Sequence, residues 1–583
     1  MKKLPHLFTY ARDALTDRRR LKRIFDQGVL LARQGGVRAL GAKLEEKLWL
    51  GSGPPGPIQY AAWVYRHDSL SRIDRAQIEA RMSAMRERPR FTVLLAGPPA
   101  SAGCLESLRL QLFPATAVHQ LGAGRDALQT ALVAAAGTQV VLAKGDQRFA
   151  HHALYRLAEE ILARPGRELI LYSDQDLLDS KGRRRSPWFK TDWNPDLFLS
   201  QDFISPGLAC LDASFALCAG GFRSEYGSAQ NTDLLLRCAA AGAEVAHLPA
   251  ILIHSAPALP DAAGDDLARA VSNAAPTARV SRGLLPGSLR LEWPLGDEPP
   301  WTTVIVPTRD GGEVLERCLR GLQKRTDYPN LEIIVVDNQS RDPRTFALLE
   351  SEVQRGAIRL LRYDKPFNYS AINNEAARQA RGSVLCLLND DVEPLQPGWL
   401  REMVAQALRP EIGAVGALLR YPDGRIQHAG VGVGLLGLAG HFHKGLAPGE
   451  NGYFGRAGLV QNVSAVTAAC LVIRRETFER VGGFDEEQLP IAMNDVDLCL
   501  KVLALGLRNL WTPYAELMHH ESYSRGADDS PEKRDRADRE AAVIRQRWGA
   551  VVDADPSYNR NLSVWTENFG IAWPPRTRKP WKP

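Results

Sequence analysis

The chain has 583 residues, more than one hydrophobic core usually holds, so several domains are expected. Its 45% hydrophobic and 24% charged residues are those of ordinary globular protein. A formal charge of +6, with no basic stripe interleaved with aromatics, gives no reason to expect nucleic acid as a partner.

The 8 cysteines form no CxxC pair and no zinc-type spacing with histidine. They read as small buried hydrophobes in a reducing compartment. The amino-terminal stretch lacks the apolar region of a signal peptide, and no run of about 18 apolar residues follows. A cytoplasmic protein is expected, with peripheral contact at the inner face of the cell membrane as an added option. Arg18, Arg19, Arg20, Lys22 and Arg23 motivate that option, because Leu and Phe recur among them at helical spacing. A solvated helix face explains the same cluster.

After SGPPGP at 52–57, residues 59–88 predict helices with Ile73, Ile78, Met82 and Met85 as a buried stripe. Residues 1–88 are thus expected to form a basic helical region. FTVLLA, TQVVLA and ELILYSD then read as buried strands separated by helical or loop sequence, the alternation of βαβ units. They open a first domain at 89–284, with 285–298 as a linker.

A second domain at 299–550 begins with TTVIVPTRD, a helix, and LEIIVVDNQS, which ends on Asp337 and Asn338. AIRLLRYD and the helix SAINNEAARQA lead to VLCLLNDDVEP, a buried strand running into Asn389, Asp390 and Asp391. The fold class expected is α/β, with two tandem Rossmann-like, mostly parallel sheets. Residues 551–583 read as a basic tail.

In open α/β sheets, ligands bind at the carboxyl ends of strands. Two or three oxygen ligands there suit Mg2+ or Mn2+ shared with substrate phosphates. The same Asn and Asp residues also suit a plain turn. Asp337 and Asn338 can bond a base or ribose, or simply turn the chain. Asp495 opens the helix DVDLCLKVLAL, where a carboxylate facing a crevice can act as a general base. Asp497, one turn on, suits the helix dipole. The pair His519 and His520 follows the strand AELM, where a neutral imidazole can meet a metal.

The two domains repeat each other. GGFRSEYGSAQNTDLLLRC resembles GGFDEEQLPIAMNDVDLCLK, setting Asp233 against Asp497, Asn231 against Asp495, and His254 near His519. KGDQRFAHHAL falls where NDDVEPLQPGWL falls, so Lys144 stands where a metal-binding acid is needed. A cation there repels a metal, and the first copy reads as a degenerate duplicate.

TVIVPTRD, EIIVVDNQS, AINNEAARQARGSVLCLLNDDVEPLQPGWL, GGFDEE, NDVDLCLK and LMHHESYSRG together resemble family 2 glycosyltransferases with the GT-A fold. YSDQDLLD, WFKTDWNPDLFLSQDF and GGFR in the first domain extend the resemblance to two-module bacterial transferases of O-antigen and rhamnan assembly, rhamnosyltransferases among them. That resemblance implies inverting, metal-dependent transfer from a nucleotide-sugar donor (dTDP-, UDP- or GDP-sugar) to a growing cell-surface polysaccharide or lipid-linked glycan. It implies that Pro307, Thr308, Asp310, Asp337, Asn338, Asn374 and Asp390 bind the nucleotide sugar. Asp391 and His519 become the metal ligands, and Asp495 the catalytic base. Asn389 and Asn494 depart from the acids of the family pattern. They motivate the rival reading, an inactive nucleotide-sugar or glycan-binding scaffold. A Rossmann dehydrogenase is disfavoured, because TVIVPTRDGGE lacks G-x-G-x-x-G.

Overall fold

The computed structural model describes residues 55–582, apart from residues 123, 125, 257–263 and 521–530. The basic cluster at 18–23 and the segment after His520 lie outside the described residues. Two helices come first, α1 (Pro57–Trp63) and α2 (Arg72–Ala84). Ser71 and Asp74 cap α2 reciprocally, each side chain accepting the other's backbone N–H. Its buried face is Asp74 and Ile78, whereas Ile73 is 69% exposed, so the predicted stripe is displaced. The cause is the carboxyl-terminal Trp581, whose indole donates to Asp74 Oδ1 at 2.7 Å and sets the face α2 turns inward.

The first sheet holds β1 (Phe91–Ala96), β2 (Ala117–Gln120), β3 (Gln139–Lys144), β4 (Arg148–Phe149), β5 (Leu169–Leu178), β6 (Arg184–Trp188), β7 (Ala209–Asp212) and β8 (Glu244–Ser255). Its order is β2-β1-β3-β7-β5-β8-β4, with β6 beside β5. A hairpin of β9 (Arg279–Arg282) and β10 (Leu289–Glu292) occupies much of the predicted linker. Leu289 and Leu291 are buried there, and the Arg290 guanidinium lies 4.2 Å over the Tyr514 ring, so this stretch is folded structure.

The second sheet holds β11 (Thr302–Thr308), β12 (Leu331–Asp337), β13 (Arg359–Arg362), β14 (Val384–Leu388), β15 (Val392–Pro394), β16 (Ile412–Arg420) and β17 (Ile426–His428). After the small hairpin of β18 (Val431–Val433) and β19 (Ala439–His441), it gains β20 (Gln461–Val463), β21 (Cys470–Arg474) and β22 (Arg508–His519). Its order is β13-β12-β11-β14-β21-β16-β22-β15, with β17 beside β16 and β20 beside β22. Without β13 and β20, this matches the first sheet strand for strand. The directions match too: β3 and β5 flank an antiparallel β7 as β14 and β16 flank an antiparallel β21. The sequence repeat is therefore a repeat of topology.

Strands at the centre are apolar on both faces because both faces are covered. Val304 and Val306 of β11 pack with Leu315, Leu319 and Leu322 of the following helix, while Ile305 faces Ile334, Val336, Leu385 and Leu387. Between the sheet domains, Arg409 pairs with Asp196 at 2.6 Å, both buried, and Asn194 and Asn462 exchange hydrogen bonds of 2.8 Å.

The carboxyl terminus departs from the expected tail. After helix α6 (Pro531–Asp553; α3 to α5 are given below with the site), Asp555 is held in the second domain by Ser464 Oγ at 2.6 Å. The chain then crosses to the first domain, where Asn559 Nδ2 donates to Asp174 Oδ1 and to the Lys190 carbonyl. Trp573 and Trp581 are buried, and Lys579 meets Asp74 at 3.3 Å, so these residues form a strap spent on the protein. Replacing Trp581 by Ala empties a buried indole site and strips a hydrogen bond from Asp74. A loss of about 3–5 kcal/mol is expected, read as a lower urea midpoint for the full chain.

Candidate active site

The carboxyl ends of the parallel strands lie level, since β11 and β12 pair with Thr308 opposite Asp337. β14 ends on Leu388, and Asn389, Asp390 and Asp391 turn the chain into β15, which sets Val392 opposite His519. The two acids face different ways. Thr308 Oγ1 donates to Asp390 Oδ2 at 2.7 Å, drawing that carboxylate toward β11. Asp391 Oδ1 lies 3.2 Å from His519 Nε2, and all three residues are buried. Gly311 permits this packing: a Cβ there meets Asp390 Oδ2 at 2.8 Å and Thr308 Oγ1 at 3.2 Å.

Among the described residues, no three His, Cys, Asp or Glu side chains gather to hold a metal unaided. Asp391 and His519 are two compatible donors, and the buried His519 Nδ1 has no hydrogen-bond partner among the described residues. A hard cation with few protein ligands completes its shell from phosphate oxygens and water, so this pair fits a Mg2+ or Mn2+ carried with a diphosphate. His520 lies apart, its Nε2 3.6 Å from Glu393.

Asp495 sits in the first turn of α5 (Asn494–Ala504), directly after Met493, whose φ is 59°. A left-handed residue with a bulky side chain costs energy and recurs at functional sites. Asp495 Oδ2 accepts the Ala468 N–H at 3.1 Å, and Oδ1 accepts the Val496 N–H at 2.9 Å. Burial raises its pKa above the ordinary carboxylate value, partly offset by those backbone donors. Asp497 has the structural role foreseen, held by Trp548 Nε1 at 2.9 Å and Lys501 Nζ at 3.1 Å.

The short segment before β21 joins the two ends of the site. The Tyr369 hydroxyl, at the start of α4 (Tyr369–Gln379), lies 3.1 Å from the Ala468 carbonyl and 3.2 Å from Asn389 Oδ1. The Asn389 N–H donates to the Ala469 carbonyl at 3.1 Å. Asp495 and the acidic turn therefore hang from neighbouring peptides. Sequence reasoning missed Tyr369 and Gly311: a tyrosine before a capped helix and a glycine after a strand carry no chemical signature of their own.

The remaining predicted residues divide. Asp337 is buried and paired with Arg362, while Asn338 Nδ2 donates to the Tyr363 and Lys365 carbonyls and its Oδ1 is buried without a partner among the described residues. Both stay at the strand ends. Asp310, exposed and with φ of 52°, accepts the backbone N–H of Asp342 at 2.8 Å and ties the loops after β11 and β12. Pro307 is half-buried within β11. Asn374 departs from its expected role. Its amide exchanges hydrogen bonds of 2.9 and 3.0 Å with Phe484 and donates to Glu486, so it clamps the GGF loop.

In the first sheet domain the equivalent turn after Lys144 is Gly145, Asp146 and Gln147. Asp146 is exposed, and Gln147 is spent on the Lys144 N–H, the Pro206 carbonyl and Ser255 Oγ. His254 Nδ1 is locked at 2.6 Å on Asp176, which Tyr60 and Arg184 also hold.

The model for "Glycosyl transferase family 2" matches residues 303–482. The uncharacterized protein y4gI of Sinorhizobium fredii is 43% identical over 472 residues, 77% of this chain and 51% of that one. The O-antigen biosynthesis protein RfbC of Myxococcus xanthus is 39% identical over 72% of this chain and 33% of its own. An N-acetylglucosaminyl-diphospho-decaprenol L-rhamnosyltransferase of Mycobacterium tuberculosis is 30% identical over 39% of this chain and 78% of its own. The chain thus spans about half of the first relative and a third of the second.

Gly311→Ala places a methyl group where the Thr308–Asp390 contact now closes. Overpacking of this kind costs about 1–3 kcal/mol. The full chain is expected to melt lower, with Asp390 displaced in a crystal structure of the variant; an unshifted melting point refutes the tight packing.

Proposed function

The chain belongs to glycosyltransferase family 2, and on that premise we propose that its second sheet domain, residues 299–550, is the catalytic unit. The reaction is inverting transfer of a sugar from a nucleotide-sugar donor to a hydroxyl of a growing cell-surface polysaccharide or lipid-linked glycan. Rhamnosyl transfer is the form suggested by the rhamnosyltransferase and O-antigen relatives. One observation carries the reading: Asp495 and the Asn389–Asp391 turn are bound to the adjacent residues Ala468 and Ala469. A general base and a diphosphate-side carboxylate are thereby held in one crevice.

Asp391 and His519 would hold the Mg2+ or Mn2+, which supplies charge neutralisation for the departing nucleoside diphosphate. Asp337 and Asn338 face the nucleoside from the end of β12, and Asn338 Oδ1 offers an unused acceptor. Asp495 Oδ1 or Oδ2 takes the proton of the acceptor hydroxyl as its oxygen attacks C1 from the face opposite the leaving group. The raised pKa of Asp495 strengthens it as a base. Asn389 and Asn494 leave this assignment intact. Asn389 bonds Tyr369, and the Asn494 amide donates to Ser370 Oγ at 3.0 Å, so both serve as positioning groups. The first sheet domain, residues 89–284, lacks the base and the metal-side acid and is assigned no transfer. Among the described residues no helix is long and apolar enough to cross a membrane. A lipid-linked acceptor would be met at the inner face of the cell membrane.

Asp495→Asn is expected to lower the transfer rate about 10²–10⁴-fold. Release of nucleoside diphosphate from dTDP-, UDP- and GDP-sugars, with Mn2+ or Mg2+ and a lipid-linked acceptor, measures it. A full rate in that variant sinks the assignment. Asp391→Ala is expected to abolish activation by either cation.

The pH dependence has a definite sign. Burial raises the folded-state pKa of Asp495, so the folded state binds its proton more tightly than the unfolded chain does. Its contribution to stability is present below the ordinary aspartate value and is lost as pH rises through the raised one. Activity needs the ionised form and runs the other way, rising over the same interval. Denaturant midpoints measured from pH 4 to 8 are expected to fall less steeply in Asp495→Asn than in the parent chain.

A further inference from the structure

A cavity of about 90 Å³ lies where three separate stretches of chain meet. The first is the end of KGDQRFAHHAL, the sequence that replaces the acidic turn in the first sheet domain. It places His152 immediately before helix α3 (Ala153–Ala163) and Arg156 one turn into it. The chain leaving α1 adds Asp68, and the carboxyl-terminal strap adds Arg578, Lys579 and Trp581. All six residues line the same space.

His152 is 7% exposed, and what remains uncovered opens on this cavity. Its ring lies edge-on to Trp581, 5.5 Å between centroids, which fixes its orientation. Its nitrogens make no hydrogen bond among the described residues. Burial, and then the charges of Arg156, Lys579 and Arg184, push its pKa down to about 3. The imidazole is therefore neutral, with one nitrogen to donate and one to accept. Asp68 is the one carboxylate that lines the cavity, and Arg184 occupies it at 2.6 Å. Arg156 gives an N–H to Glu159 at 2.5 Å, and Lys579 bonds the Ser69 carbonyl at 2.9 Å and Asp74 at 3.3 Å. Each keeps further N–H groups to give. Arg578 is exposed at the rim and has neither a hydrogen bond nor an ion pair among the described residues.

Cationic donors from two walls facing one enclosed space suit an anion. The space is that of roughly three waters at about 30 Å³ each, enough for one tetrahedral oxyanion and too little for a nucleoside. A carboxylate offers two oxygens in one plane, whereas a phosphate offers three that reach different walls. A phosphate that keeps one P–OH also supplies the donor that the second nitrogen of His152 needs, which sulfate does not. We propose that this cavity binds a phosphate group through His152, Arg156, Arg578 and Lys579. The group is free phosphate or a monoester, soluble or a lipid headgroup, whose remainder passes out beside Arg578. Once bound, it joins the strap to α3 and fastens the carboxyl terminus to the first sheet domain. The site is independent of the transferase reading, since neither Asp391, a metal nor a sugar donor takes part.

The test is isothermal titration calorimetry on the full chain in EDTA, with inorganic phosphate, glycerol phosphate and sulfate as probes. Flotation with phosphatidylcholine vesicles, with and without phosphatidic acid, forms the lipid arm. The parent chain and Asp391→Ala are expected to bind at least one phosphate probe alike, and sulfate about tenfold more weakly or not at all. Affinity is expected to fall about tenfold or more in Arg578→Ala and in His152→Leu, the loss of a charge-assisted or buried contact. Arg578 is exposed and unpaired, so Arg578→Ala keeps the fold and decides should His152→Leu fail to fold. Soluble phosphate binding that both variants lose supports the site with a soluble source. Binding confined to phosphatidic acid vesicles, and lost in both variants, supports it with a lipid source. No binding by the parent means that water alone fills the cavity and overturns the proposal. So does binding unchanged in either folded variant, binding lost in Asp391→Ala, or equal affinity for sulfate.

Discussion

Two neighbouring peptide units, at Ala468 and Ala469, carry the geometry of the second sheet domain. One accepts from the Asn389 N–H and the other reaches Tyr369 and donates to Asp495. A carboxylate at a helix start and an acidic turn after a strand have no reason to lie near one segment unless something rigid spans them. The span is the entry into β21, a strand paired antiparallel to β14 along its whole length from Val384 to Leu388. Hydrogen bonds to backbone are stiffer anchors than contacts between side chains, because a paired strand cannot rotate away. The raised pKa of Asp495 comes from burial at the helix start, and the anchoring N–H groups only partly offset it.

The first domain shows how one strand order can carry different polar partners without losing its fold. Its topology needs apolar strands and right-handed crossovers, and those survive in β1, β3 and β5. What changes is the partner of each polar group. His519 lies 3.2 Å from Asp391, whereas its counterpart His254 is pinned by Asp176, which Tyr60 of α1 and Arg184 also grip. A buried carboxylate with three partners serves to fasten helix α1 onto the sheet. At this position the first domain spends its histidine on assembly.

Strand ends were legible because their chemistry is local. Five apolar residues followed by Asn389, Asp390 and Asp391 declare a buried strand and an acidic mouth, and the structural role of Asp497 followed from its place in a first turn. The internal repeat was legible for the same reason, since GGF and the spacing to Asn231 or Asp495 are read along the chain. Groups whose function is set by distant partners were not. Asn374 sits in a polar run that suits a ligand site, yet Phe484, more than a hundred positions away, takes both ends of its amide. Ile73 looked buried by period, but the face of α2 is chosen by Trp581 from the other end of the chain. Tyr369 bonds two segments that only the fold brings together.

The carboxyl-terminal strap explains why residues 551–583 looked like a free tail. Its composition is polar and basic, with Pro574, Pro575 and Pro580 preventing helix or strand, so no periodicity marks it as folded. Its order comes from side-chain amides instead. Asn559 and Asn561 both donate to Asp174 in the middle of β5, and that carboxylate also takes the charged His247, whose pKa Asp174 and Asp192 raise to about 9 despite its burial. Removing the strap would strip two of the donors that the buried Asp174 carboxylate accepts from. The two sheet domains are therefore coupled in both directions: Asp196 of the first pairs with Arg409 of the second, and the end of the second completes the interior of the first. The second sheet domain is thus built against the first, and neither interior is complete without residues of the other.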